Sequence, residues 1–456
     1  MGKALRMRLV ALTAAILLLM TSLPAGLWQP VSAQTVQGPR RGGTLIHQMP
    51  WEPISINPGL VTAMGPQACA APAFNSLLET RTMELAATPG LAERWEISSD
   101  KKTYTFYLVK NASWHDGKKF TSADVKFTFE EILLKYHPQG KLNFGVIESI
   151  EAPDDYTIRF RLRTPWPSFL VLVSNTFHAP ILPKHVFEGT DIRQNPANFA
   201  PVGTGAFKFV EYVKGDRIVY DRNPNYWRAG KPYMDRLIMK IIPKEETAVA
   251  AMLKGEVDMM GYWTSPAAFN TLKQSPDINV ERAPYAAPSV GFLLFNVDNP
   301  ILKNLKVRQA IAHSVERNKI SEIAREGFSP PAIGPVHEFF KWAFDPEIQP
   351  TYPFDLKKAE QLLDEAGYPR KEGGIRFKLI LNNLAGMVYN KDGEMIKDRL
   401  KDIGVEIDHR ILSNPTADEL LFLKRDFDLA VRMFTQGPDP SITLGVMFHS
   451  KQVGAG

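Results

Sequence analysis

The stretch from 201 to 260 limits the fold more than any other part of this chain. It opens Pro201-Val202-Gly203-Thr204-Gly205-Ala206-Phe207-Lys208-Phe209, a glycine-bracketed turn that feeds a strand. Alternation resumes in Arg217-Ile218-Val219-Tyr220 after the turn Lys214-Gly215-Asp216, so the two runs read as a hairpin. A loop with two aromatics, Arg222-Asn223-Pro224-Asn225-Tyr226-Trp227, leads to a second apolar run over 237–242. A helix is predicted over 245–254, with Ala248, Val249, Ala251, Met252 and Leu253 on its buried face. Acids sit at its start and Gly255 sits where a left-handed cap belongs. A strand, Val257-Asp258-Met259-Met260, follows at once. Hairpin, strand, helix and strand in immediate succession point to an α/β architecture.

The first 33 residues stand apart. Lys3, Arg6 and Arg8 make a positive start, an apolar run covers 9–23, and Val31-Ser32-Ala33 is a small-residue cleavage site before Gln34. The run falls short of the about 20 residues that span a bilayer. The chain therefore reads as exported, with cleavage after Ala33. Cys69 is the only cysteine and lies far from this site, so neither a lipid-bearing N-terminal cysteine nor an internal disulfide is expected. Free release into a periplasm fits these features, and Cys69, among Ala68, Ala70 and Ala71, reads as a small buried residue. Removing 33 of 456 residues leaves 423 and takes away three basic and no acidic residues, which lowers the formal charge from +5 to +2. A chain of that length needs two or three domains. Its near-neutral charge, with no basic cluster interleaved with aromatics, argues against nucleic acid.

Alternating strands and capped helices recur along the mature chain. Arg41-Gly42-Gly43-Thr44-Leu45-Ile46 begins the first strand, which ends at Met49-Pro50-Trp51-Glu52-Pro53. Residues 73–79 read as a helix turn. Thr103-Tyr104-Thr105-Phe106-Tyr107-Leu108 and Tyr156-Thr157-Ile158-Arg159-Phe160-Arg161-Leu162 alternate as half-buried strands. Between them, Trp114-His115-Asp116-Gly117-Lys118 is a turn with His115 at a solvated tip, and Thr121 or Ser122 caps a helix. Later come a strand over 278–285, another over 290–296, and a helix carrying Val307, Ile311 and Val315. Asp355 caps a helix through Ala359, Leu362 and Leu363. A strand over 376–381 precedes a helix over 394–402, a strand over 405–407, and a strand over 427–431 that ends in the loop 433–440. This alternation predicts a parallel sheet with ligands outside the carboxyl ends of its strands.

Enzyme motifs are missing: there is no Gly-x-Ser-x-Gly, His-Glu-x-x-His, P-loop or Cys-x-x-Cys. The nine histidines lack ligand spacing, and the adjacent pairs Glu130-Glu131 and Asp154-Asp155 do not share a face. No catalytic residue, metal or cofactor is expected.

The order of motifs resembles the large solute-binding proteins of ABC transporters, the peptide- and nickel-binding class. The resemblance rests on Gly203-Thr204-Gly205-Ala206-Phe207, Gly215-Asp216-Arg217-Ile218, the 222–227 loop, and the 247–259 helix and strand. Two further blocks agree: 91–130, and the 295–317 segment with Val307-Arg308-Gln309-Ala310-Ile311-Ala312-His313-Ser314-Val315-Glu316-Arg317. It implies a periplasmic-binding-protein-like α/β fold (type II, large cluster C) with two lobes, an extra subdomain in the first, and a hinged ligand cleft. The boundaries would be 34–90 and 181–284 for the first lobe, 91–180 for the extra subdomain, and 285–456 for the second lobe. The partners would be a solute and the permease and ATPase subunits of an importer on other chains, with this chain a monomer. Family members continue past the equivalent of Met447-Phe448-His449-Ser450 and return to the first lobe, so a chain ending at Gly456 is expected to lack that return and to be less stable for it.

Closure of two lobes over a ligand makes Trp51, Met64, Tyr262, Trp263, Tyr285, Phe434, Gln436 and Asp439 the candidate ligand-binding residues. In members that bind peptides, an aspartate after the 427–431-like strand pairs with the ligand's amino terminus. Here that position falls on Gln436 or Gly437, and a neutral glutamine cannot supply the charge-assisted bond an ammonium needs. Peptides, neutral oligosaccharides and other polar solutes all remain open as ligands. A secreted hydrolase and a ligand sensor built on the same lobes are the alternatives.

Overall fold

The computed structural model describes residues 39–80, 86–261, 264–281, 288–385, 387–437 and 439–448. The expected leader, Tyr262, Trp263 and Tyr285 lie outside the described residues. The chain divides after Arg41, and the elements below belong to the unit that begins at Gly42.

A four-stranded sheet forms the base of the first lobe, in the order β1 (Thr44–Met49), β10 (Arg236–Ile241), β9 (Arg217–Arg222), β8 (Phe207–Val213). β1 runs parallel to β10, while β8, β9 and β10 are antiparallel neighbours, so the expected hairpin is present. Alternation sorts the side chains onto two faces. Leu45, Met49, Leu237, Met239, Ile218 and Tyr220 line one core, and Ile46 faces a smaller one with Ile242, Ala248, Ala251 and Val257. The smaller core is roofed by helix Glu245–Leu253, which ends before Gly255 at φ +69°. Leu253 itself is exposed, contrary to the face assigned from its spacing. Residues 257–260 add only a single bridge, His47 to Met259, rather than a strand.

The Gly203-Thr204-Gly205 motif is explained by a crossing of backbones. A Cβ on Gly203 would lie 1.7 Å from the Ala73 carbonyl oxygen, and one on Gly205 would lie 2.4 Å from that of Pro72. Thr204, fully buried, donates to Asn75 Oδ1 at 3.2 Å, and the Asn223 amide donates to the Gly205 carbonyl at 3.0 Å. His115 completes the knot: Gly203 N–H donates to its Nδ1, leaving Nε2–H to donate to the Gly205 carbonyl at 3.0 Å. His115 is therefore buried, not the solvated tip its turn composition suggested. Residues 73–77 form no helix here. They hand the chain to the short strand β2 (Leu78–Thr80), paired with β3 (Ala87–Pro89).

The second sheet, wholly antiparallel, has the order β4 (Ala92–Ile97), β5 (Thr103–Leu108), β7 (Thr157–Leu162), β6 (Ile147–Asp154). Tyr104, Phe106, Leu108, Ile158, Phe160 and Leu162 point inward, as their period of two requires. Phe160 anchors an aromatic cluster, edge-on to Phe129 at 4.8 Å and to Phe169 at 5.4 Å between centroids. The covering helix starts at Ser122 behind a Thr121–Asp124 capping box.

The second lobe holds the sheet β11 (Ser289–Phe295), β14 (Leu429–Thr435), β12 (Phe377–Leu384), β13 (Val405–Leu412). β12 is parallel to both β13 and β14, while β11 is antiparallel at the edge. Helices Leu305–Ser314, Leu356–Glu365 and Met387–Asp402 contribute Val307, Ile311, Leu362, Leu363, Ile396 and Leu400 to its core. Asp355 caps the middle helix through Lys358 N–H at 2.9 Å. Val315 lies just past the first of these helices, as its C-cap.

Three elements outrun their sequence signals. The last helix begins before Gly393, a residue that reads as a break; a Cβ there would lie 2.3 Å from Asn383 Nδ2 and 2.4 Å from His409 Nε2. β12 runs on through Asn382 and Asn383, which pair with Arg410 and Ile411 of β13. β14 continues through Met433, Phe434 and Thr435 because Gly291, Val290 and Ser289 of β11 pair with them. The expected loop is thus a strand to Thr435. Residues 278–281 form no strand, and the rest of that expected strand lies mostly outside the described residues.

Candidate functional site

Parallel β12, β13 and β14 end on one side of the second lobe, and Gln436 and Asp439 follow directly from β14. Gln436 is fully buried and engaged with backbone. Its Oε1 accepts from His337 N–H at 2.8 Å, and its Nε2 donates to the Pro335 carbonyl. Its own N–H donates to the Pro288 carbonyl at 2.8 Å. The glutamine thus clasps the 335–337 loop to the end of β14 and presents no free polar end for a solute.

Asp439 is engaged as well. Its Oδ1 accepts from Ser441 N–H at 2.8 Å, capping the helix Pro440–Phe448, and its Oδ2 accepts from Ser168 Oγ at 2.7 Å. Ser168 lies one residue before Phe169 in the core of the antiparallel sheet, a core separate from the one under the β11–β14 sheet. This bond therefore crosses between the lobes. A second crossing contact joins Phe269, on helix Pro266–Lys273, to Phe328 of the second lobe, edge-on at 5.3 Å between centroids.

Phe434 lies on the β14 face turned away from the core, in contact with Phe292 at 6.0 Å; Phe292 in turn meets Phe448 at 6.3 Å. Trp51 lies in the first lobe against the start of the helix that Met64 opens. Met64 opens the helix Met64–Ala70, and a Cβ on the next residue, Gly65, would lie 2.7 Å from Trp51 Cβ. Both are half-buried. Buried amides fix this corner: Gln67 Nε2 donates to the Pro58 and Val61 carbonyls at 2.9 and 2.6 Å, and Asn57 Nδ2 donates to Asn198 Oδ1 at 2.8 Å. The structure thus sets Trp51 beside the helix that Met64 opens, and places Gln436 and Asp439 just past β14 with separate partners. Sequence reasoning missed Ser168, Phe269 and Phe328, since a lone serine or phenylalanine carries no motif.

Burial pushes His115 and His137 down to about 4 and His178 down to about 3, with repulsion from His137 adding to the last. Burial also pushes the Cys69 thiol up to about 12, which leaves it protonated and inert. Among the described residues, no group of three or more His, Cys, Asp or Glu side chains is placed to hold a metal ion. No helix among them is long and apolar enough to cross a membrane.

Residues 86–455 match the family described as bacterial extracellular solute-binding proteins, family 5 Middle. The chain belongs to that family. Its role is solute binding in transport, not catalysis. The dipeptide-binding protein of Escherichia coli (strain K12) is 32% identical over 356 residues, which cover 74% of this chain and 65% of that protein. The chain thus spans about two thirds of that relative's length. A periplasmic binding protein of Helicobacter pylori associated with an ABC transporter, solved with the peptide STSA, superposes with a TM-score of 0.76 at 28% identity, covering 89% of this chain and 80% of that one. NikZ of Campylobacter jejuni, solved with Ni(L-His), gives 0.77 at 25% identity, covering 90% and 81%.

Proposed function

We propose that this chain is the exported solute-binding subunit of an ABC importer, holding a peptide or another polar solute between its lobes and presenting it to a membrane permease. The observation that carries this reading is the meeting of the lobes at Ser168–Asp439 and at Phe269–Phe328. A ligand that touches both lobes favours their closed arrangement by its differential affinity. The transporter-associated relative from Helicobacter pylori supports the importer role and a periplasmic location; removal of the leader after Ala33 is part of the same proposal. The domain boundaries at 90, 180 and 284 and a monomeric state belong to the same proposal. Trp51, Met64 and Phe434 are proposed to line the cleft, together with Tyr262, Trp263 and Tyr285.

The neutral, fully buried and backbone-bonded side chain of Gln436 favours a solute whose capture does not depend on a free ammonium at that residue. A thermal-shift screen of the mature protein tests both parts, using short peptides with free or acetylated amino termini and neutral oligosaccharides. Binding to the native state raises the melting temperature by mass action. Comparable shifts for free and acetylated peptides, or a shift with oligosaccharides, agree with the proposal. A shift only with free-amine peptides overturns the part about the ammonium, and the absence of any shift across these solutes and other polar solutes of similar size counts against the binding role.

A further inference from the structure

We propose that Ser168 and Asp439 form a latch between the lobes, which sets how long a captured solute is held. The function above does not require such a pair; a ligand alone can bridge two lobes. Here a protein–protein hydrogen bond also spans them, with Ser168 Oγ donating to Asp439 Oδ2 at 2.7 Å between residues 271 apart in sequence.

Both ends of this bond are held by rigid structure. Ser168 is only 5% exposed, and the next residues, Phe169 and Leu172, are fully buried in the first lobe's antiparallel-sheet core. Asp439 is fixed by its cap on Ser441 N–H, and the helix it caps is tied to β14 by Thr443 Oγ1, which donates to the Thr435 carbonyl at 3.1 Å. A hydroxyl bonded to a carboxylate is a charge-assisted pair, stronger than a neutral one. Since neither end moves independently of its lobe, opening the cleft must break the bond, and making it favours closure. The Phe269–Phe328 contact closes a second point and shares the load without any ionised group. Asp439 is therefore a positioning residue acting through the lobes and not through the solute.

The test measures the lobes without added solute, so its result does not depend on what the ligand is. Exposed Lys119 and Lys397, one on each lobe, are replaced by cysteine and spin-labelled; Cys69 is fully buried and stays unlabelled. Pulsed dipolar spectroscopy then gives the distribution of distances between the labels. Ser168→Ala removes only the hydroxyl and should lower the closed-to-open ratio about tenfold. Asp439→Asn, which keeps an oxygen for the Ser441 cap, should shift it in the same direction. In the double variant the two effects should fall short of their sum, because both remove one bond. Melting temperatures of the single variants separate this from unfolding. If both single variants leave the distance distribution unchanged, or if their effects simply add, the latch is refuted.

Discussion

Acidification should remove much of this protein's stability, because burial holds His47, His115, His137 and His178 neutral, the last three most strongly. Each of these last three has an N–H aimed at its Nδ1: Gly203 N–H at His115, Gln139 N–H at His137, and the Asn143 amide at His178, each at 3.2 Å. A proton on Nδ1 would displace that donor as well as charge a desolvated ring. Burial accordingly holds His115 and His137 at about 4 and His178 at about 3, against an ordinary 6.5. Folded values below the unfolded one mean that this stability is fully present above about pH 6.5 and falls away as pH drops towards 4 and then 3. Within that window each histidine contributes a slope of about 1.4 kcal/mol per pH unit, so the three together give about 4. At about pH 5 the loss is about 2 kcal/mol per ring, or about 6 in all, comparable with the roughly 5–15 kcal/mol by which a domain is stable. Asp124 opposes this trend nearer its ordinary 3.8, because burial raises its carboxyl, so the window above pH 5 is the informative one. Urea unfolding followed at several pH values between about 7.5 and 5 measures the slope. His178→Gln should flatten it by one histidine's share, about 1.4 kcal/mol per pH unit. A total slope no larger than one histidine supplies, or one that His178→Gln leaves unchanged, would refute the reasoning.

Other substitutions test the packing around the candidate cleft. Gln436→Ala unclasps the 335–337 loop and leaves buried backbone groups without partners, a loss of about 1–3 kcal/mol in urea unfolding. Gln436→Glu should cost more at neutral pH than in acid, since a carboxylate cannot donate to the Pro335 carbonyl. Arg325→Leu strands Asp392, a 4%-exposed carboxylate paired with it, and should destabilise by about 3–5 kcal/mol, which Asp392→Asn in the same chain should partly recover. Gly65→Ala drives a methyl against Trp51 Cβ, and about 1–3 kcal/mol of overpacking should appear as a lower melting temperature.

The sequence carried the fold well wherever a pattern was local. Alternation in 103–108 and 157–162 placed two strands and their inward faces, and the Thr121 and Asp355 caps placed two helix starts. What failed depended on partners distant in sequence. Phe434 could not be known as a strand residue without its partner Val290, nor Gly393 as a helix residue without Asn383 and His409. His115 looked solvated because its turn is polar, while the backbones that bury it come from residues 203–205. The candidate site was less legible still. Gln436 and Asp439 stood out as polar groups in a loop, but their hydrogen bonds to 335–337 and to Ser168 exist only once the lobes are folded and brought together.

The most direct test of the solute-binding account is to find what the protein retains. The mature chain is incubated with a mixture of short peptides and oligosaccharides, separated from unbound material by gel filtration, and denatured, and the released molecules are identified by mass spectrometry. The account predicts that one chemical class is enriched and recovered intact, in stoichiometric amount. Recovery of cleaved products, or no enrichment from this mixture or from a wider set of polar solutes, would contradict it.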